Sequence, residues 1–104
     1  MHCVKLQSEY SDLDKYKFDD KDIIYYKKGT SIFHNPYGPA FITKNGAEQY
    51  WIEDKLHRLD GPATISSDGK LDYWINGKYL TKEQFEVHPE RLKHLGKEYL
   101  ICLA

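Results

Sequence analysis

His57-Arg58-Leu59-Asp60-Gly61-Pro62-Ala63, then Asp68-Gly69, then Tyr73-Trp74-Ile75-Asn76-Gly77-Lys78, is the stretch on which the reading of the fold turns. At an offset of 23 residues the same pattern is laid down once before. His34 aligns with His57, Gly38-Pro39-Ala40 with Gly61-Pro62-Ala63, and Ile42 with Ile65. Asn45-Gly46 falls on Asp68-Gly69, and Tyr50-Trp51-Ile52 on Tyr73-Trp74-Ile75. Self-similarity at a fixed period of this size marks a duplicated supersecondary unit that buries its apolar surface against its neighbours. Two full copies are present, with a trace of a further one around Ile24 to Phe33.

Each copy reads as strands joined by tight turns. Asn45-Gly46 and Asp68-Gly69 predict type I′ hairpin turns, which need positive φ at both central residues. Asn76-Gly77 gives the same signal after the second Tyr-Trp-Ile, and Glu53-Asp54 occupies the matching place in the first copy. Ala40 to Thr43 is expected to pair with Ala47 to Ile52, Ala63 to Ser66 with Lys70 to Ile75, and Lys78 to Leu80 to pair back. Alternation sets Tyr50 and Ile52 opposite Trp51, and Leu71, Tyr73 and Ile75 opposite Trp74, so both faces carry apolar groups. The fold class expected is α+β: an antiparallel β-meander built from 23-residue hairpin repeats, closed by a short C-terminal helical cap.

The flanks supply the caps. Thr81 with Gln84 three residues on forms a capping box that opens a short helix. His88 to Leu95 reads as a second helix with Pro89 in its first turn, stopped by Gly96. Glu98 to Leu103 is β-leaning. Residues 1–32 read as an N-terminal flank, 33–80 as the two hairpin repeats and 81–104 as the C-terminal cap, all in a single domain. In the flank, Asp12-Leu13-Asp14 and Asp19-Asp20-Lys21-Asp22 read as solvated loop before the strand-like Ile23 to Tyr26.

Composition narrows the function. The chain has 104 residues, 40% hydrophobic and 30% charged, with a net charge of −1. That is too apolar for a disordered tail and lacks the broad basic footprint of a nonspecific nucleic-acid binder. No apolar run approaches the ~20 residues of a membrane span, and Met1 to Lys5 opens no secretory leader, so a cytoplasmic protein with no membrane partner is expected. Cys3 and Cys102 are then expected to be reduced thiols. No metal-ligand spacing, phosphate loop, dinucleotide fingerprint or nucleophile elbow occurs, so neither metal nor cofactor is expected.

The pattern His-x-x-x-Gly-Pro-Ala, a hairpin, and Tyr-Trp-x-Asn-Gly-Lys resembles a divergent group of MORN-type repeats found in small proteins of bacteriophages and large viruses. The match is specific over His57 to Lys78 and looser in the first copy, where Asn35-Pro36-Tyr37 stands in place of Arg58-Leu59-Asp60. Leu80-Thr81-Lys82-Glu83-Gln84-Phe85 is similar to the segment that ends such proteins. The resemblance covers about half of the chain. It implies a β-hairpin fold and a scaffolding or binding role rather than catalysis, and transfers no site.

Three functional readings follow. The first is a non-enzymatic, phage-type protein that binds and inhibits or redirects a host protein such as a defence component, with self-association through a sheet edge. Its surface would be Trp51, Trp74, Tyr50 and Tyr73, with Arg58 and Lys78 beside them, since Tyr and Trp dominate interface hot spots. Core packing is the plainer reading of the same rings. The second is a protein that sequesters a nucleotide between rings and lysines; nearby carboxylates argue against a long nucleic acid. The third is a small enzyme centred on His57 and Asp60. Against it, His34, His57, Asp60, Gly61 and Pro62 read as the repeated structural corner, each imidazole bonded to a backbone carbonyl.

Overall fold

A computed structural model describes residues 3–18 and 21–96. Among the described residues ten strands run in chain order: β1 Cys3–Leu6, β2 Leu13–Phe18, β3 Ile23–Lys27, β4 Phe41–Ile42, β5 Glu48–Gln49, β6 Trp51–Ile52, β7 Lys55–Leu56, β8 Thr64–Ile65, β9 Leu71–Ile75 and β10 Lys78–Leu80. Two helices follow, α1 Lys82–Glu86 and α2 Pro89–His94. Eight strands form one sheet in the order β1-β2-β3-β4-β5-β8-β9-β10, every pairing antiparallel, while β6 and β7 form a separate hairpin between β5 and β8. The expected meander and α+β class are present, and among the described residues the helices lie at the C-terminal end.

The N-terminal flank supplies the first three strands: β3 stands where Ile23 to Tyr26 read as strand-like, whereas β1 and β2 were not expected. Asp12-Leu13-Asp14 is not a solvated run: Leu13 and Asp14 begin β2 and are both buried. Asp14 survives burial because its carboxylate accepts the Gly29 N–H at 2.9 Å and pairs with Lys5 at 3.4 Å. The Gly29 bond holds its pKa below the usual carboxylate value, with Lys5 adding to the effect against desolvation. Lys-rich alternation hides this strand in the sequence, because only one face of an antiparallel sheet needs to be apolar. Asp19 and Asp20, Cys102 and the β-leaning Glu98 to Leu103 lie outside the described residues.

Two turn assignments change. In Asn45-Gly46 and Asp68-Gly69 only the glycines have positive φ, +89° and +91°. Gly46 N–H donates to the Thr43 carbonyl and Thr43 N–H to Ala47, and Gly69 and Ser66 repeat both bonds at the same offsets. These are three-residue loops, a type I turn followed by a left-handed glycine, in place of the expected type I′ turns. Two-residue turns with both φ positive occur at Glu53-Asp54 (49°, 65°) and Asn76-Gly77 (53°, 79°). They close β6–β7, where Ile52 faces Lys55, and β9–β10, where Ile75 faces Lys78. The strand expected over Ala47 to Ile52 breaks at Tyr50, whose N–H donates to the Ala63 carbonyl at 2.7 Å while Trp51 turns away to pair with Leu56.

Ala40 and Ala63 have no solvent exposure. Each donates across the sheet at 2.9 Å, to Gln49 and to Asp72, and each accepts at 2.7 Å, from Tyr25 and from Tyr50. The core they help build is thin. Leu13, Tyr25 and Ala40 form one cluster with Trp51 packed on it; Ile75, Leu80 and Phe85 form another with Leu59 and Tyr73. With extents of 52 × 31 × 19 Å the chain is essentially one sheet thick, so among the described residues no large side chain is fully buried. At the C-terminal end α1 provides the missing layer. Thr81 Oγ1 accepts the Gln84 N–H, the Gln84 side chain accepts the Thr81 N–H, and Phe85 packs on Ile75, Leu80 and Tyr73.

Phe85→Ala should lower the unfolding free energy by about 3–5 kcal/mol. Thr81→Ala, which removes only the cap, should cost about 1 kcal/mol. Urea unfolding followed by tryptophan fluorescence gives both values; equal effects would mean that α1 is held by its cap and not by its packing.

Candidate functional site

Two separate features carry chemistry: a line of aromatic rings along the hairpins and a groove between the two Gly-Pro corners. The ring line starts from cross-strand pairs, which bring side chains of one face within contact. Tyr26 pairs with Phe33, Trp51 with Leu56 and Trp74 with Tyr79. Tyr26 and Phe33 stack at 5.5 Å, and Trp74 and Tyr79 meet edge to face at 5.4 Å. Tyr16 extends the line at 5.5 Å from Tyr26, and Phe33 reaches Trp51 at 5.2 Å. Phe33, Leu56 and Tyr79 succeed one another at the repeat offset. Where the smaller Leu56 takes the place of a ring, the line opens into a cleft of about 400 Å³ between Trp51 and Trp74, bordered by Lys55 and Asn76.

Of the four rings expected on one platform, only the two tryptophans share this cleft. Strand alternation sends the tyrosines elsewhere. Tyr73 packs at 4.7 Å on Phe85 in the C-terminal core, and Tyr50 lies under the Arg58 guanidinium at 4.0 Å from its ring centre. Lys78 is exposed on β10. The Trp51 indole N–H donates to Gln49 Oε1 at 2.9 Å. The Trp74 indole N–H is buried and has no acceptor among the described residues, which costs about 1–3 kcal/mol in lost hydration. Phe33, Leu56 and Tyr79 were absent from the expected site although their spacing is visible in the sequence. Tyr26 is harder to see because its hairpin is two residues longer, which puts Tyr25-Tyr26 at an offset of 25 from Tyr50-Trp51. The backbone gives the equivalence. Tyr25 donates to Ala40 and accepts from His34, as Tyr50 donates to Ala63 and accepts from His57.

The corner groove, also about 400 Å³, gathers His57, Arg58 and Asp60 with Tyr37 and Tyr50 from the meander and His94 from α2. The imidazoles do not bond to carbonyls as expected. His34 Nδ1 accepts the Glu53 N–H at 3.0 Å and His57 Nδ1 accepts the Asn76 N–H at 2.9 Å. A ring nitrogen that accepts is unprotonated, so the proton of neutral His57 sits on Nε2. Burial holds the His57 pKa below the usual imidazole value, with Glu90 opposing the shift and His88 and His94 adding to it. Asp60 does not partner His57. Its Oδ1 lies 2.8 Å from His94 Nε2, which ties α2 to the second corner across 34 residues of chain. Spacing in the sequence holds no trace of that contact.

Gly61 and Pro62 act on Arg58. The Pro62 carbonyl accepts Nη1–H at 3.2 Å, and a Cβ on Gly61 would stand 3.4 Å from the guanidinium carbon. Among the described residues no group of three or more His, Cys, Asp or Glu side chains is placed to hold a metal ion, and no helix is long and apolar enough to cross a membrane.

A depressed His57 pKa means that the unfolded chain binds more protons than the folded one below about pH 6.5. Its contribution to stability is therefore complete above that value and declines as pH falls towards the folded pKa. The melting temperature of the wild type should drop more between about pH 7.5 and about pH 5 than that of His57→Asn, whose side-chain oxygen accepts the Asn76 N–H without titrating. Parallel pH profiles would remove His57 as the source of the difference. Compared with protein-family models, curated proteins and solved structures, the chain matches none, so the chemistry of both features rests on their own residues.

Proposed function

We propose that this chain is a non-catalytic binding protein that uses the aromatic line from Tyr16 to Tyr79 to dock on another protein. One observation carries the reading: five of the six rings are only half-buried and Tyr79 is 57% exposed, yet Tyr16, Tyr26, Phe33 and Trp51 follow each other in contact and Trp74 with Tyr79 resumes the line across the Leu56 cleft. Isolated exposed rings are ordinary on a protein surface, whereas a contiguous series is characteristic of an interaction surface. Rings of this kind bring large contact area at small entropic cost. The orphaned Trp74 donor supports the same reading, because packing alone would be served better by a phenyl ring, which has no N–H to desolvate.

The resemblance of the repeat to MORN-type phage and viral proteins supports a host protein as the partner, with inhibition or redirection as the consequence. A cytoplasmic site of action and a reduced Cys3, which is exposed, belong to the same proposal. Catalysis at His57 and Asp60 is disfavoured because each is engaged elsewhere, His57 Nδ1 by a backbone amide and Asp60 by His94. A nucleotide sequestered between rings and lysines is the second reading, and it has less to rest on because Tyr50 and Tyr73 lie apart from the cleft that Trp51, Trp74 and Lys55 line.

Tyr79→Ala and Trp74→Ala separate interface from core. A tagged wild-type chain should retain a stoichiometric partner from host-cell extract. Tyr79→Ala should weaken that complex by ~2 kcal/mol with a near-unchanged melting temperature. Trp74→Ala should weaken it at least as much, with some loss of stability. Retention of the partner by both variants, or recovery of the wild-type chain alone, would count against the proposal.

A further inference from the structure

The first and second corners differ at one chemically decisive position. Asn35 and Arg58 occupy equivalent places and do the same structural work. Asn35 Nδ2 donates to the Pro39 carbonyl at 3.0 Å, and Arg58 Nη1 donates to the Pro62 carbonyl at 3.2 Å. Their backbones also match, since Asn35 N–H bonds to the Trp51 carbonyl at 3.0 Å and Arg58 N–H to that of Trp74 at 3.1 Å. An asparagine therefore suffices to hold this corner. The guanidinium brings four further N–H donors and a permanent charge that the corner does not need.

Those donors are held in place. The guanidinium carbon is 4.0 Å from the Tyr50 ring centre, and the absence of a side chain at Gly61 lets the backbone approach the same group. Arg58 forms no ion pair among the described residues; the neighbouring Asp60 is bonded to His94. A half-buried guanidinium without a carboxylate, oriented before any ligand arrives, has lost much of the entropy that binding would otherwise cost. Around it Pro36, Ile52 and Leu59 line the groove with apolar surface.

We propose that Arg58 anchors a carboxylate-binding site in the corner groove, which takes an organic acid or the acidic side chain of a polypeptide with its apolar body against Ile52 and Leu59. Two parallel N–H···O bonds match a carboxylate to the planar guanidinium fork. A single permanent cation beside Asp60 suits a monoanion and not a polyphosphate. The site is independent of the aromatic line: no residue borders both the groove and the Trp51–Trp74 cleft.

Arg58→Asn tests the assignment, because Asn35 shows that asparagine satisfies the carbonyl at this place. Benzoate and N-acetylglutamate amide are titrated into the full chain by ¹H–¹⁵N NMR against matched concentrations of chloride. Both carboxylates should shift the amides of Tyr50, His57 and Arg58, where chloride does not. Arg58→Asn should melt cooperatively and bind at least about tenfold more weakly. Arg58→Lys, which keeps the charge without the fork, should fall between. Tighter binding of benzoate assigns a free acid, and tighter binding of the blocked glutamate assigns a polypeptide side chain. Equal binding by wild type and Arg58→Asn, no effect beyond that of chloride, or tighter binding of inorganic phosphate than of either carboxylate would overturn the proposal.

Discussion

A two-residue turn with both residues left-handed leaves two backbone N–H groups outside its own ladder, and in this chain the residue that closes the preceding hairpin and the histidine after it accept both. At Glu53-Asp54 they go to His34 Nδ1 and the Phe33 carbonyl; at Asn76-Gly77 they go to His57 Nδ1 and the Leu56 carbonyl. An unmet backbone donor costs about as much as a lost hydrogen bond, so each turn is stabilised by the end of the hairpin before it. The dependence is strongest at Glu53-Asp54, where neither residue is glycine and each left-handed conformation costs roughly 1–2 kcal/mol. Asp54 Oδ1 offsets part of that by accepting the Phe33 N–H at 2.7 Å, and Glu53 adds an exposed pair with Lys27. Strands of two residues, such as β4 to β8, would not persist alone; linkage between successive units makes them a sheet.

This mode of linkage explains why the molecule has surface rings. Hydrogen bonds pass along the sheet from unit to unit, so the fold does not require a second sheet or a long helix packed on either face. Half-buried aromatics then fulfil two tasks. They shield the cross-strand hydrogen bonds, and they remain accessible in a way that residues between two layers are not. Where a layer is supplied, by α1 through Phe85, the neighbouring Tyr73 becomes core. The same residue type at the same repeat position thus changes character with its cover: Tyr50 lies in the groove under a cation, Tyr73 under a helix.

The corners show how one scaffold position can be kept or elaborated. Asn35 is buried and spent, with its amide on Pro39 and its side-chain oxygen accepting the Tyr37 N–H at 2.9 Å. Arg58 meets the equivalent carbonyl, that of Pro62, with one donor of five. Repeats allow such divergence because a copy that is structurally complete without the extra chemistry already shows that it is dispensable for folding.

What the amino-acid order determined by itself was local. Asn76-Gly77, Thr81 with Gln84, and Pro89 before Gly96 each act within a few residues, and each stands where local physics puts it. The two strands before Ile23 escape notice for an equally local reason, since a half-buried strand such as Leu13–Phe18 alternates Lys and Asp with its few apolar residues. Tertiary structure decided what depends on meeting across the chain. It moved Asp60 from His57 to His94, turned the imidazoles towards amides, sent Tyr50 and Tyr73 away from the tryptophans, and aligned Phe33, Leu56 and Tyr79 into one line. A side chain's partner is set by which neighbour the backbone brings within about 3–5 Å, and that distance is fixed only when the whole sheet has closed.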